Sequence, residues 1–250
     1  MTAPSLNLAS ADAWDRFIPY SGLHLVTIFV CVLAVAALGG TGRALPDISK
    51  IALRRTLGIF GIAYWVLSYA IWWNRNGLDL PSGLPLHICE LNGLIAPLAL
   101  LTLNRWLRAT AYFWTFALTT QAFIQPTLTT GPAGALFWWF WAQHTIILAC
   151  AVYDLAVVGF RPNWQDLGRV YVVSALYLAM VIPVNLEFST NFGFLGNPPP
   201  ARIPPFIDAL GPWPLRALIV VALAAAGFAI LVLPWRLAEP WRTSKLHKSA

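Results

Sequence analysis

The stretch LPLHICELNG, residues 84–93, brings together side chains that can do chemistry: His87, Cys89, Glu90 and Asn92. A thiol beside a base is a pairing that forms covalent acyl intermediates. Histidine with carboxylate is also a zinc-ligand pairing. On an ideal helix His87 and Glu90, three residues apart, share a face. Cys89 lies about 160° around the axis from His87, close to Asn92 and Gly93. A Cys–His dyad inside this stretch therefore requires distortion by Pro85 or Pro97. A dyad across helices, Cys89 with His144, remains open.

The stretch continues as LIAPLALLTL, so these groups head an apolar segment. The chain of 250 residues is 58% hydrophobic and 10% charged, against about a quarter charged in soluble domains. Crossing about 30 Å of hydrocarbon takes roughly 20 residues. Seven stretches answer to that, at 21–40, 56–74, 84–103, 106–125, 136–158, 167–186 and 214–235. The expected fold is all-α, a polytopic membrane protein with seven transmembrane helices. Residues 1–20 would form a short external or interfacial segment, 21–235 the transmembrane domain and 236–250 a basic cytoplasmic tail. The N-terminus lacks a basic n-region and a cleavage site, which argues against a cleaved signal peptide. ADAWDRF reads as an interfacial helix with Ser10 as its cap.

With the N-terminus outside, twelve basic residues fall on the cytoplasmic side: Arg43, Lys50, Arg54, Arg55, Arg105, Arg108, Arg161, Arg169, Arg236, Arg242, Lys245 and Lys248. Four, Arg16, Arg75, Arg202 and Arg216, fall outside. This bias predicts an external N-terminus and a cytoplasmic C-terminus, in the cell inner membrane. The net charge of +6 then reflects topology and contact with anionic lipid headgroups. It does not call for nucleic acid, and membrane lipids are the expected partners. Cys31 and Cys150 lie in apolar runs and read as small buried hydrophobes, with no disulfide framework.

In this topology the polar residues gather in the outer half of the membrane. His24 heads helix 1, His87, Cys89, Glu90 and Asn92 head helix 3, and Gln121 and Gln125 end helix 4. Gln143 and His144 follow the aromatic run FWWFW, residues 137–141, read as an interface belt. Asn185 and Glu187 end helix 6. Three of the four histidines occupy this layer. Asp154, Arg169 and Asn104 lie near the cytoplasmic ends, where snorkelling accounts for them. Ionisable groups at membrane depth face a cavity or one another. Each also has a structural reading: interhelical bonding for His24, a pair for His87 with Glu90, packing for Cys89, helix-end solvation for Asn185. Convergence on one layer favours function.

LPLHICELNGLIAPLALLT, AYFWTFALTTQAFIQPTL, FWWFWAQH, NFGFLGNPPP and IDALGPWP together resemble the YwaF-like family of bacterial integral membrane proteins, related to eukaryotic transmembrane protein 164. SGLHLVTIF matches its opening helix, and the resemblance runs from about residue 17 to 235. FGFLGNPPP stands where relatives carry a cysteine or basic residue after FL, so those side chains are not implied. The eukaryotic branch implies phospholipid acyl-chain transfer by a cysteine and a histidine. It is distantly similar to membrane lipid hydrolases that use a threonine and a histidine. His144 matches the later family histidine and His87 the one in LPLH; Cys89 either matches the family cysteine or lies a couple of residues from it.

Three functions follow. The first is an intramembrane phospholipid acyltransferase or lipid hydrolase without cofactor. His144 would be its base, Cys89 its nucleophile, and His87 and Glu90 orienting groups. Gln121, Gln143, Asn185 and His24 would contact substrate. The second is a zinc-dependent hydrolase using His24, His87, Glu90 and His144. The third is a lipid- or solute-binding or transport protein with an outward polar pocket. GPWP, residues 211–214, caps the last helix, and 188–213 would lie over the pocket.

Overall fold

In the computed structural model residues 14–77, 83–199 and 203–247 are described, with side chains up to residue 235. The expected Ser10 cap and the tail's basic side chains lie outside the described residues. The described chain is all-helical, with one isolated backbone bridge between Arg16 and Thr130. The helices are α1 (Gly22–Ala44), α2 (Asp47–Asn76), α3 (Ile88–Thr102), α4 (Arg105–Phe113), α5 (Gln121–Ile124), α6 (Ala135–Tyr153), α7 (Trp164–Phe188), α8 (Pro205–Asp208) and α9 (Leu215–His247). π-helical turns, Trp114–Thr119 and Asp154–Val158, link α4 to α5 and extend α6.

Local chemistry sets the boundaries. Ser21 accepts the His24 N–H at 3.3 Å to begin α1. Asn104 accepts from Trp106 and Leu107 to begin α4. Asn163 and Asp166 exchange side-chain-to-backbone bonds of 3.0 Å, a capping box for α7.

Among the described residues five helices are long and apolar enough to cross a membrane: Gly22–Ala44, Asp47–Asn76, Ala135–Val158, Trp164–Phe188 and Leu215–Trp235. The other two expected spans differ. The stretch 84–103 is helical only over Ile88–Thr102, 15 residues, or about 22 Å at 1.5 Å per residue. The stretch 106–125 is a helical run broken by the π turn. A short helix survives because α3 is interior: it packs on α2, α4, α6 and the π turn, and buries Asn92, Gly93, Ala96, Pro97, Ala99 and Leu100. At its N-terminal end the backbone meets protein side chains, the condition for non-helical backbone at membrane depth.

Close approach of α2 to α3 uses missing side chains. A Cβ on Gly61 would lie 2.5 Å from Pro97 Cγ, and one on Gly58 2.6 Å from Leu101 Cγ. Apolar side chains on α1, α2 and α9, among them Phe29, Leu67 and Ile230, are exposed. Such surfaces suit lipid contact.

At one end of the bundle arginines meet carboxylates. Arg108 binds Asp154 through contacts of 2.8–3.1 Å, and Asp166 bridges Arg105 and Arg169. Asp154 is 5% exposed, so it does not snorkel as expected; α4 brings it a guanidinium instead. Arg169 pairs as well, and Asn104 caps a helix. Arg105 and Arg108 also lie over the Phe160 ring, each 4.7 Å from its centroid. The aromatic run also differs from a simple belt. Phe137 and Trp141 turn inward and Trp138 faces out. Cys31 and Cys150 are buried free thiols, as expected.

Candidate functional site

His87 has extended backbone angles, φ −67° and ψ 146°, and precedes the first turn of α3. It therefore does not share a helix face with Glu90, contrary to the spacing argument. The two residues meet through a cap: the His87 backbone N–H donates to Glu90 Oε2 at 2.8 Å. The His87 ring packs edge-on against Phe192, with centroids 5.2 Å apart, and against Phe194 at 5.9 Å. The backbone before α3 is satisfied by side chains. Trp73 donates to the Gly83 carbonyl and Tyr177 to that of Leu86, both at 2.9 Å. Trp65 donates to the Glu90 carbonyl at 2.8 Å, and the Tyr69 hydroxyl faces the Glu90 carboxylate.

Cys89, one residue into α3, is half-buried and faces the Thr119 hydroxyl of the π turn. Asn92, fully buried, donates to Thr115 Oγ1 at 3.0 Å and Thr119 Oγ1 at 3.2 Å. The π turn makes this possible. The Thr120 N–H reaches back five residues to the Thr115 carbonyl, and the altered winding turns both threonines toward α3. Such turns recur at functional sites. Asn92 Oδ1 has no partner among the described residues.

α6 carries the second histidine of this end of the bundle. His144 is 6% exposed, and its Nδ1 lies 2.6 Å from the Phe140 carbonyl. A carbonyl only accepts, so Nδ1 carries the proton and Nε2 the lone pair in the neutral ring. The Phe123 ring, one helical turn beyond Thr119, stands edge-on to His144 at 6.3 Å. Gln143, the preceding residue, lays its amide against Gly93 of α3, where a side chain would collide with it. Its Nε2 is buried without a partner among the described residues. Cys89, Thr119, Asn92, Gln143 and His144 thus belong to the junction of α3, the π turn and α6.

The remaining sequence candidates lie elsewhere. Both ring nitrogens of His24 are committed: Nδ1 accepts from the Tyr20 N–H at 2.9 Å and Nε2 donates to the Phe123 carbonyl at 3.0 Å. Asn185 organises the loop after α7, donating to the Phe192 carbonyl and accepting from Phe192 N–H and Thr190. Gln121 is exposed beside its own helix. Among the described residues no three histidine, cysteine, aspartate or glutamate side chains form a metal-holding group. His24, His87, Glu90 and His144 are therefore not assembled as a zinc site.

Sequence reasoning missed Thr115 and Thr119. In membrane helices threonines satisfy themselves on their own turn, as Thr110 and Thr120 do here. Nothing in the sequence marks Thr119 as different from its neighbour Thr120. The only available signal was their four-residue spacing at the depth of Asn92.

The family model of the TMEM164 family matches residues 18–232, nearly the stretch over which resemblance was expected. Neither a curated protein nor a solved structure matches the chain. The chain belongs to the TMEM164 family and is a multi-pass membrane protein.

Proposed function

We propose that this TMEM164-family protein is an intramembrane acyl-transfer enzyme acting on lipid esters. The observation that carries the reading is the His144–Phe140 hydrogen bond. The bond directs the Nε2 lone pair of a buried histidine on α6, which packs against α3, and so supports a role as base. Base first, then nucleophile, is the arrangement that thiol acyl transfer needs.

In the proposed reaction Cys89 Sγ forms a bond to the ester carbonyl carbon as its proton passes to His144 Nε2. The carbon–alkoxide bond then breaks, and His144 returns the proton to the departing lysolipid oxygen. A second lysolipid hydroxyl, or water, attacks the thioester and regenerates the thiol. Thr119 orients Cys89, and Gln143 Nε2 offers a donor for the carbonyl oxygen, where buried donors contribute most. A preformed donor without a partner among the described residues suits such a role.

The site lies at the end of the bundle opposite the arginine–aspartate pairs. With the N-terminus outside and the protein in the inner membrane, the acyl donor is another lipid rather than a cytoplasmic thioester. Binding or transport without chemistry is the competing reading, and nothing in it uses the fixed His144 tautomer.

The test is an acyl-transfer assay on full-length protein in lipid nanodiscs. It uses isotope-labelled phospholipid with a lysophospholipid acceptor. Label in the acceptor indicates a transferase and label in free fatty acid a hydrolase, and either must vanish in His144→Ala. Absence of turnover across several phospholipid classes moves the site to a binding role.

A further inference from the structure

Arg216 stands in the first turn of α9 and is 4% exposed. No carboxylate pairs with it among the described residues. Its Nη2 donates to the Gly196 carbonyl at 3.2 Å and to Asn197 Oδ1 at 3.1 Å. Both acceptors are neutral. Its Nε is buried with no partner at all among the described residues.

A buried charge without a counter-charge is strongly unfavourable. The position makes it worse, because the first turn of a helix is the positive end of its dipole. No acidic residue occupies that turn to offset it. Elsewhere the fold neutralises buried charge: Asp154 meets Arg108, and Asp166 meets Arg105 and Arg169. Arg216 is the exception among the described residues.

We infer that Arg216, Asn197 and the N-terminus of α9 form a binding site for a phosphate-class anion, a phosphate monoester or diester. A guanidinium presents planar pairs of donors that match phosphate oxygens, and a helix N-terminus favours the same charge. Arg216 is not needed merely to close the loop it touches. That loop is held independently by Asn185, which bonds Phe192 on both its N–H and carbonyl. Asn191 Oδ1 adds a bond from the Gly196 N–H at 3.1 Å. Asn197 is exposed, so the site opens toward the headgroup side of the bundle. Phe192 and Phe194 of the same loop pack on His87, which puts the anion one loop away from the head of α3. The inference stands whether or not the protein performs acyl chemistry.

Lipid headgroups and free phosphate both carry this chemistry, and binding measurements separate them. Trp213 donates to the Leu195 carbonyl at 3.3 Å beside the site, so tryptophan fluorescence is a suitable readout. Full-length protein in non-ionic detergent is titrated with sodium phosphate and with dihexanoyl phosphatidylglycerol. Dihexanoylglycerol, which lacks phosphate, and sodium chloride at matched ionic strength are the controls. A saturable change is expected with a phosphate compound and not with either control. Response to the phospholipid alone identifies a headgroup; response to both identifies the phosphate group as sufficient. Arg216→Gln should raise the half-saturating concentration about tenfold or more, and Arg216→Lys should raise it less. Equal responses from wild type and Arg216→Gln overturn the inference. So does the absence of any saturable response in the wild-type protein, a result that needs no variant to fold.

Discussion

Asn92 Nδ2 stands 3.2 Å from Thr119 Oγ1, joining the head of α3 to the π turn opposite. Interhelical hydrogen bonds in membranes average about 0.6 kcal/mol and reach about 1.7 kcal/mol. A double-mutant cycle with Asn92→Ala and Thr119→Val should therefore show coupling in that range, measured by unfolding in mixed micelles. Additive effects would mean that the two residues do not interact.

Thr119 also faces Cys89. Cys89→Ala should abolish label transfer in the nanodisc assay. Thr119→Val should slow it about tenfold, the loss of one hydrogen bond of about 1.4 kcal/mol. Full activity in Cys89→Ala would remove the thiol from the mechanism.

His24 and His144 separate structure from chemistry. His24 spends both nitrogens on backbone groups of Tyr20 and Phe123. His24→Ala should lower the yield of folded protein while leaving turnover per folded molecule intact. His144→Ala should do the reverse. Equal loss of turnover in both variants would contradict this division.

The Arg108–Asp154 pair, with side chains 14% and 8% exposed, should be costly to halve. Arg108→Met or Asp154→Leu alone should destabilise by about 3–5 kcal/mol, because each leaves a buried charge. The double variant should cost less than either. Denaturant unfolding with all three variants decides it.

Gly61 and Gly40 form a matched comparison. A side chain on Gly61 meets Pro97, whereas one on Gly40 meets nothing within 4 Å. Gly61→Leu should destabilise by about 1–3 kcal/mol, and Gly40→Ala should stabilise by about 0.5–1 kcal/mol. Equal thermal shifts would show that α2 and α3 do not depend on this contact.

The helical membrane architecture was legible in the sequence because hydropathy is a local property. Each apolar run reports on its own neighbourhood, and Leu23 to Leu38 is greasy whatever it packs against. The grouping of polar residues by depth was legible for the same reason, since position along a helix translates into height. His144 and Cys89 could thus be placed near one level without knowing which helices touch.

What only the tertiary structure decided is partnership. Spacing put His87 and Glu90 on one helix face; the chain instead starts α3 at Ile88, and the pair meets as a cap. Spacing could not show that α3 is interior, that a π turn rotates Thr119 toward Asn92, or that His24 faces the Phe123 carbonyl. It left Asp154 to solvent and gave Arg216 no special place, though one is paired in the interior and the other is buried without an opposite charge. Helical periodicity fixes which residues share a side, whereas the neighbour across the gap comes from distant sequence, through packing among all the helices at once.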